Sequence, residues 1–170
     1  GHAQAWPLLS APGALPPLWT HGDWHASNLL WDTDAGHTEV SAVFDFGLCD
    51  RSFALFDLAT AIERNLIPWL NLDTAQRAEP QLEQLDALLD GYAQHCVLDA
   101  AQLRLLAALL PIVHADFALS EIGYFAGITR SADNADIAYH RYLLGHADWF
   151  ASPEGRRLRE HLHALSLIHI

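Results

Sequence analysis

The change of hydrophobic rhythm at Ser52 constrains this chain more than any other feature. Ahead of it lie two short runs rich in Val, Leu and aromatic residues, Leu29–Trp31 and Val40–Phe46. Between them stands the turn-rich linker Asp32-Thr33-Asp34-Ala35-Gly36-His37. That pattern reads as one small β-hairpin, the only sheet expected. After Ser52 the spacing turns helical and stays so. Over residues 53–70, Asp57, Thr60 and Arg64 recur at i, i+3 and i+7, a narrow polar stripe on an otherwise apolar helix with Pro68 near its end. A second helix is predicted from about Glu79 to His95, with Leu82, Leu85, Leu88 and Leu89 on one face. Asp99 caps a third over Ala100 to Leu110, and Pro111 either kinks it or starts a new one reaching about Ile128. Ser131 or Asp133 opens another through Trp149, and Ser152-Pro153-Glu154 starts the last. Residues 1–18, rich in Ala and carrying Pro7, Pro12, Gly13, Pro16 and Pro17, read as a loop or a helix tail. The order predicts a mainly helical α+β domain carrying one small hairpin.

Length and composition narrow the partners. The 170 residues suffice for one domain with a proper core, and 51% hydrophobic against 18% charged residues describes a globular chain. No apolar run reads as long enough to span a bilayer and no basic-then-apolar leader opens the chain, so a cytoplasmic protein without a membrane partner is expected. Cys49 and Cys96 form no CxxC pair and read as reduced core residues. A net charge of −12 argues against a nucleic-acid partner, which calls for clustered Lys and Arg. It is compatible with a cationic small-molecule substrate drawn to a negative cleft, and equally with an acidic surface that only keeps the protein soluble. The chain contains no methionine, even at position 1, and is expected to be a fragment. Residues 166–170 resemble translated adapter read-through and are set apart as a non-native tail, leaving residues 1–165 as the domain. Oligomeric state is not readable.

The chemistry concentrates in His21-Gly22-Asp23-Trp24-His25-Ala26-Ser27-Asn28, followed by Asp45-Phe46-Gly47. Asp23 and Asn28 precede one strand and Asp45 ends the next. A hairpin sets its open ends side by side, so the three oxygen-bearing side chains can converge. Carboxylate and amide oxygens suit Mg²⁺, which takes one or two protein oxygens beside phosphates and water. A further carboxylate can accept a proton from an attacking hydroxyl. Together these are the parts of phosphoryl transfer. Asp23 and Asn28 keep the D-x-x-x-x-N spacing of a protein-kinase catalytic loop, and Asp45-Phe46-Gly47 supplies the metal motif, with Gly22 where that loop has Arg.

The form H-G-D-x-H-x-x-N, with a later D-F and then Asp57-Leu58-Ala59, resembles the aminoglycoside phosphotransferase and choline kinase-like family. Its wider relatives include methylthioribose kinases and type-two homoserine kinases. The resemblance covers residues 21–59. It implies the C-terminal lobe of a protein-kinase-like fold, preceded by a lysine-bearing, ATP-gripping lobe, with Mg²⁺ and ATP as cofactors. It implies transfer of the γ-phosphoryl group to a hydroxyl of an aminoglycoside-, choline- or homoserine-type acceptor, and an inactive fragment. Asp23 becomes the catalytic base. Asn28 and Asp45 become metal and nucleotide ligands. His21, His25 and Asp57 become loop-structuring residues. The acceptor would lie between the catalytic loop and the later helices, where His114, Asp116 and Glu121 are the substrate candidates and Tyr124, Asp133, Asp136 and His140 are weaker ones. Two other readings compete: a metal-dependent hydrolase using His21, Asp23, His25 and Asp45, and a non-catalytic pseudokinase-type binding module.

Overall fold

In the computed structural model, which describes Pro7 and residues 15–34, 36–74 and 76–168, two separate pairs of strands frame the polar loop. The second pair is a correction, since one hairpin was expected. Strand β1 (Leu18–Thr20) pairs antiparallel with β4 (Asp50–Ser52), in register Leu18 to Ser52 and Thr20 to Asp50. Three-residue strands are too short to show a period, so the sequence gives no signal for them. Strand β2 (Leu29–Asp34) pairs with β3 (His37–Val43), with a bulge between Leu30 and Trp31. This is the expected hairpin, but its strands run through the linker, with Asp34 opposite His37. The N-terminal stretch expected to be loop or helix tail lies largely outside the described residues.

Helix α1 (Ala54–Leu66) buries Leu55, Leu58, Ile62 and Leu66, spaced to share one face. It stops earlier than the predicted 70 because Ile67 precedes Pro68. A proline pushes the residue before it out of the helical region, and Ile67 sits at φ −111°, ψ 116°. A single turn, α2 (Leu70–Asp73), follows. Helix α3 (Leu82–Ala93) turns Leu85 and Leu89 into the core.

Helix α4 (Ala100–Gly123) is the axis of the molecule, packed between α1 and the last helix. Its start is a capping box: Asp99 accepts from the Gln102 backbone at 2.8 Å, and Gln102 accepts from the Asp99 backbone at 2.8 Å. Pro111 lies inside it and does not end it. With Leu106, Ala107, Leu109, Leu110 and Val113 all buried around the proline, burial on several sides outweighs one missing hydrogen bond. Over Ala100–Thr129 this stretch is also long and apolar enough to cross a membrane, contrary to the sequence reading; half of its most apolar window is buried against the other helices.

Beyond α4 the chain widens. Tyr124–Thr129 and Ala138–Gly145 are π-helical, on either side of α5 (Ala132–Ile137), and α6 (His146–Ala151) follows. A helix reaching about Ile128 and another from Ser131 or Asp133 through Trp149 were expected here, without the π turns, because a π turn has no separate sequence signature. The last helix, α7 (Pro153–Ile168), buries Leu158 and Leu162. Ser166, in the segment set apart as a tail, is buried on it, and residues 169–170 lie outside the described residues. The cysteines are free but are not core residues: Cys96 is exposed and Cys49 half-buried. The described residues form a mainly helical α+β fold.

Candidate active site

The loop from His21 to Asn28 is laid out along one face of α1. The Asp57 carboxylate takes two successive backbone N–H groups, His21 N at 2.7 Å on Oδ2 and Gly22 N at 2.8 Å on Oδ1. Gly22 turns there at φ 78°, and a Cβ in its place would lie 2.2 Å from the Leu48 carbonyl oxygen. Two turns further along α1, Arg64 donates from Nε (3.1 Å) and Nη2 (2.8 Å) to Asp23 Oδ1. Its guanidinium carbon stacks 3.6 Å from the centre of the Phe117 ring. Asn65 then holds the loop's far end, donating Nδ2 to Trp24 O at 2.9 Å and accepting Ala26 N at 2.8 Å on Oδ1. Three side chains of one helix thus fix four consecutive loop positions, His21 to Trp24, and the next but one, Ala26.

The loop's own residues complete the arrangement. His21 is buried, and its Nε2 lies 2.9 Å from the Phe44 carbonyl while Nδ1 accepts the Asp23 N–H at 3.2 Å. A carbonyl only accepts, so Nε2 carries the proton and Nδ1 does not. His25 caps the short 3₁₀ turn Ala26–Asn28, its Nδ1 meeting Ser27 Oγ at 2.6 Å and Ser27 N at 3.3 Å. Asn28 is buried and donates Nδ2 to Asp23 O (3.0 Å) and Asp23 Oδ2 (3.2 Å). With Nδ2 so engaged, Oδ1 is left without a donor among the described residues. The Phe44 N–H bonds Asn28 O at 3.1 Å, which sets the next residue, Asp45, beside the loop.

Asp45 is exposed and sits in the left-handed region, φ 62°, which an Asp tolerates better than most residues. Gly47 leaves room for its carboxylate, since a Cβ there would fall 3.3 Å from Asp45 Oδ1. One free amide oxygen and one exposed carboxylate match in number and hardness what magnesium takes from a protein beside phosphates and water. The four residues of the hydrolase reading are arranged otherwise. Both His21 nitrogens are occupied by the backbone, the Asp23 carboxylate faces Arg64 and Asn28, and no group of three or more His, Cys, Asp or Glu among the described residues could hold a metal.

Two cavities flank Arg64. One, of about 310 Å³, is lined by Thr20, Asp50, Arg51, Asp116 and Phe117. The other, of about 530 Å³, is lined by His25, Arg64, Trp69, Glu121, Tyr142 and His146 among others. His114 and Glu121 therefore share a cavity and Asp116, exposed, faces the other one. His114 itself is buried, its Nδ1 2.7 Å from Glu63 Oε1. Tyr124, Asp133, Asp136 and His140 lie on the surface, with His140 3.4 Å from Asp136. Arg64, Asn65 and Glu63 were not singled out as site residues by the sequence. The signal for Arg64 was the stripe it shares with Asp57. Glu63 had none, because its partner stands on another helix.

A model of the phosphotransferase enzyme family matches residues 2–98, more than half of the chain and all of its polar loop. No curated protein and no solved structure matches it.

Proposed function

This chain belongs to the phosphotransferase enzyme family, and we propose that it is the catalytic C-terminal lobe of a kinase-like enzyme that moves the γ-phosphoryl group of ATP to a hydroxyl of a small molecule. The observation that carries this reading is the contact of Asp23 with Asn28 Nδ2 at 3.2 Å, with Asp45 two residues past Val43, the strand partner of Leu29. In this reading Asp23 is the carboxylate that meets the acceptor, and Asn28 and Asp45 are two hard oxygen donors at one end of a hairpin. Asp23 takes the proton of the attacking hydroxyl and orients it. Arg64 and Asn28, one on each carboxylate oxygen, hold that group in a single rotamer. Asn28 and Asp45 would hold Mg²⁺, which when bound supplies charge neutralisation between the phosphates. Asp57, His21 and Asn65 fix the loop, so catalysis rests on positioning more than on reactive groups. The cavity of about 530 Å³ that Arg64 helps to line is the acceptor site, and the net charge of −12 favours a cationic acceptor. The family likeness implies a lysine-bearing lobe ahead of residue 1, and turnover is to be read on the protein that carries it.

The test is ATP consumption with Mg²⁺ across a panel of aminoglycosides, amino alcohols, hydroxy amino acids and sugars. One or more acceptors should yield a phosphate ester in step with ADP. ATP turned over to inorganic phosphate with every compound, or no turnover at all, contradicts the reading.

A further inference from the structure

The widened turns before α6 create a feature that phosphoryl transfer by itself does not use. In Ala138–Gly145 the backbone N–H of His146 bonds Arg141 O, five residues back. An α-helix would have given that N–H to Tyr142 O. The Tyr142 carbonyl instead takes His114 Nε2 at 2.9 Å. His114 also meets Glu63 Oε1 through Nδ1 at 2.7 Å, and the two side chains are 3% and 2% exposed. A carbonyl only accepts, so the Nε2 that faces Tyr142 O carries a proton. Nε2 of the same ring lies 3.2 Å from His146 Nδ1. Since Nε2 already holds a proton, His146 Nδ1 can only accept, and the single proton of that ring sits on Nε2.

His146 is therefore a neutral imidazole with one donor to offer. Burial, and then the neighbouring His114, push it down to about 3, so it stays uncharged across the physiological range. Its ring lies flat on Trp69, centroids 4.0 Å apart and planes 9° apart, which fixes its orientation. Trp69 is tied in turn to the Glu63 carbonyl at 3.0 Å. The other charged groups on this cavity are Arg64, already on Asp23, and Glu121, and the titratable His25 also lines it.

Resting on the acceptor site proposed above, we propose that His146 is a specificity-determining residue: locked by Glu63 and His114, it donates from Nε2 to an uncharged oxygen of the acceptor. The cavity then takes molecules that carry a second hydroxyl or ether oxygen beside the hydroxyl that is phosphorylated, and discriminates against mono-alcohols. A site built to donate to an oxygen rejects the analogue without it, because the donor is left unpaired.

Histidine-labelled protein examined by ¹⁵N NMR decides the first half. His146 should show one tautomer, protonated on Nε2, with no titration between pH 5 and pH 8; an ordinary titration there overturns the proposal. In Glu63→Gln, if it folds, the tautomer should become mixed, and an unchanged spectrum counts against the relay. The same sample, titrated with glucosamine and with choline, decides the second half. The Nε2 signal should move with glucosamine and not with choline, and His146→Phe should weaken glucosamine about 10-fold, with His146→Gln, which keeps a donor, recovering most of it. A shift with neither compound, or equal weakening of both in His146→Phe, overturns it. Failure of phosphoryl transfer in the assays above would sink the kinase reading while leaving these spectra to decide His146 alone.

Discussion

Gly22 is held where no other residue fits without movement. A side chain there would meet both the left-handed backbone and the Leu48 carbonyl, so Gly22→Ala should cost at least about 2 kcal/mol, read as a lowered urea midpoint. Asp57 acts on the same turn through two charge-assisted bonds. Asp57→Asn keeps one acceptor and sets an amide N–H₂ against a backbone N–H, and a loss of roughly 2–3 kcal/mol in the same measurement is expected. Asp45→Ala should cost about 1 kcal/mol, since alanine tolerates φ 62° less well than aspartate, and abolish metal-dependent nucleotide binding, as followed by calorimetry with and without Mg²⁺. At this scale the spacing of Asp23, Asn28 and Asp45 was legible because local chain geometry, a 3₁₀ turn and a hairpin, brings them together. The supports were less so. Arg64 reaches Asp23 across 41 positions, and the Glu63 to His114 pair spans 51, distances over which a single sequence carries no pairing signal.

Among the elements, α1 is the template and α4 the beam it rests on. Each turn of α1 shows two faces, Leu58 and Ile62 to the core and Asp57, Arg64 and Asn65 to the loop. The amphipathic pattern made that helix readable, and its early end followed from Pro68. Of the two outcomes left open at Pro111, no new helix starts there, because buried leucines surround it and hold helix α4 together. Its N-terminus followed the rule: the Asp99 cap was readable and is closed by Gln102. Asp99→Ala should cost about 1 kcal/mol, seen as a small drop in Tm without change in nucleotide binding, since the cap lies at the opposite end from the site. The short strands β1 and β4 escaped detection because pairing with each other, not their own pattern, defines them.

The molecule as a whole is acidic, and the cavity proposed for the acceptor combines aromatic walls with Glu121. A cationic acceptor should consequently bind more weakly as salt rises, its KM increasing several-fold between low and physiological ionic strength, while an uncharged sugar shows little change. Fold class was legible from the order of patterns, and the family from the motifs of one loop and the helix after it. What the sequence concealed was the wide-turn region that shapes the cavity proposed for the acceptor. The claim on which the rest depends is that the Asp23 carboxylate, gripped by Arg64 and Asn28, receives the proton of the attacked hydroxyl. Steady-state phosphoryl transfer by Asp23→Ala, compared with the unsubstituted protein at saturating ATP and Mg²⁺, tests it most directly. Turnover should fall by about 10² to 10⁴-fold with ATP affinity unchanged within about twofold; turnover equal to that of the unsubstituted protein would contradict the account.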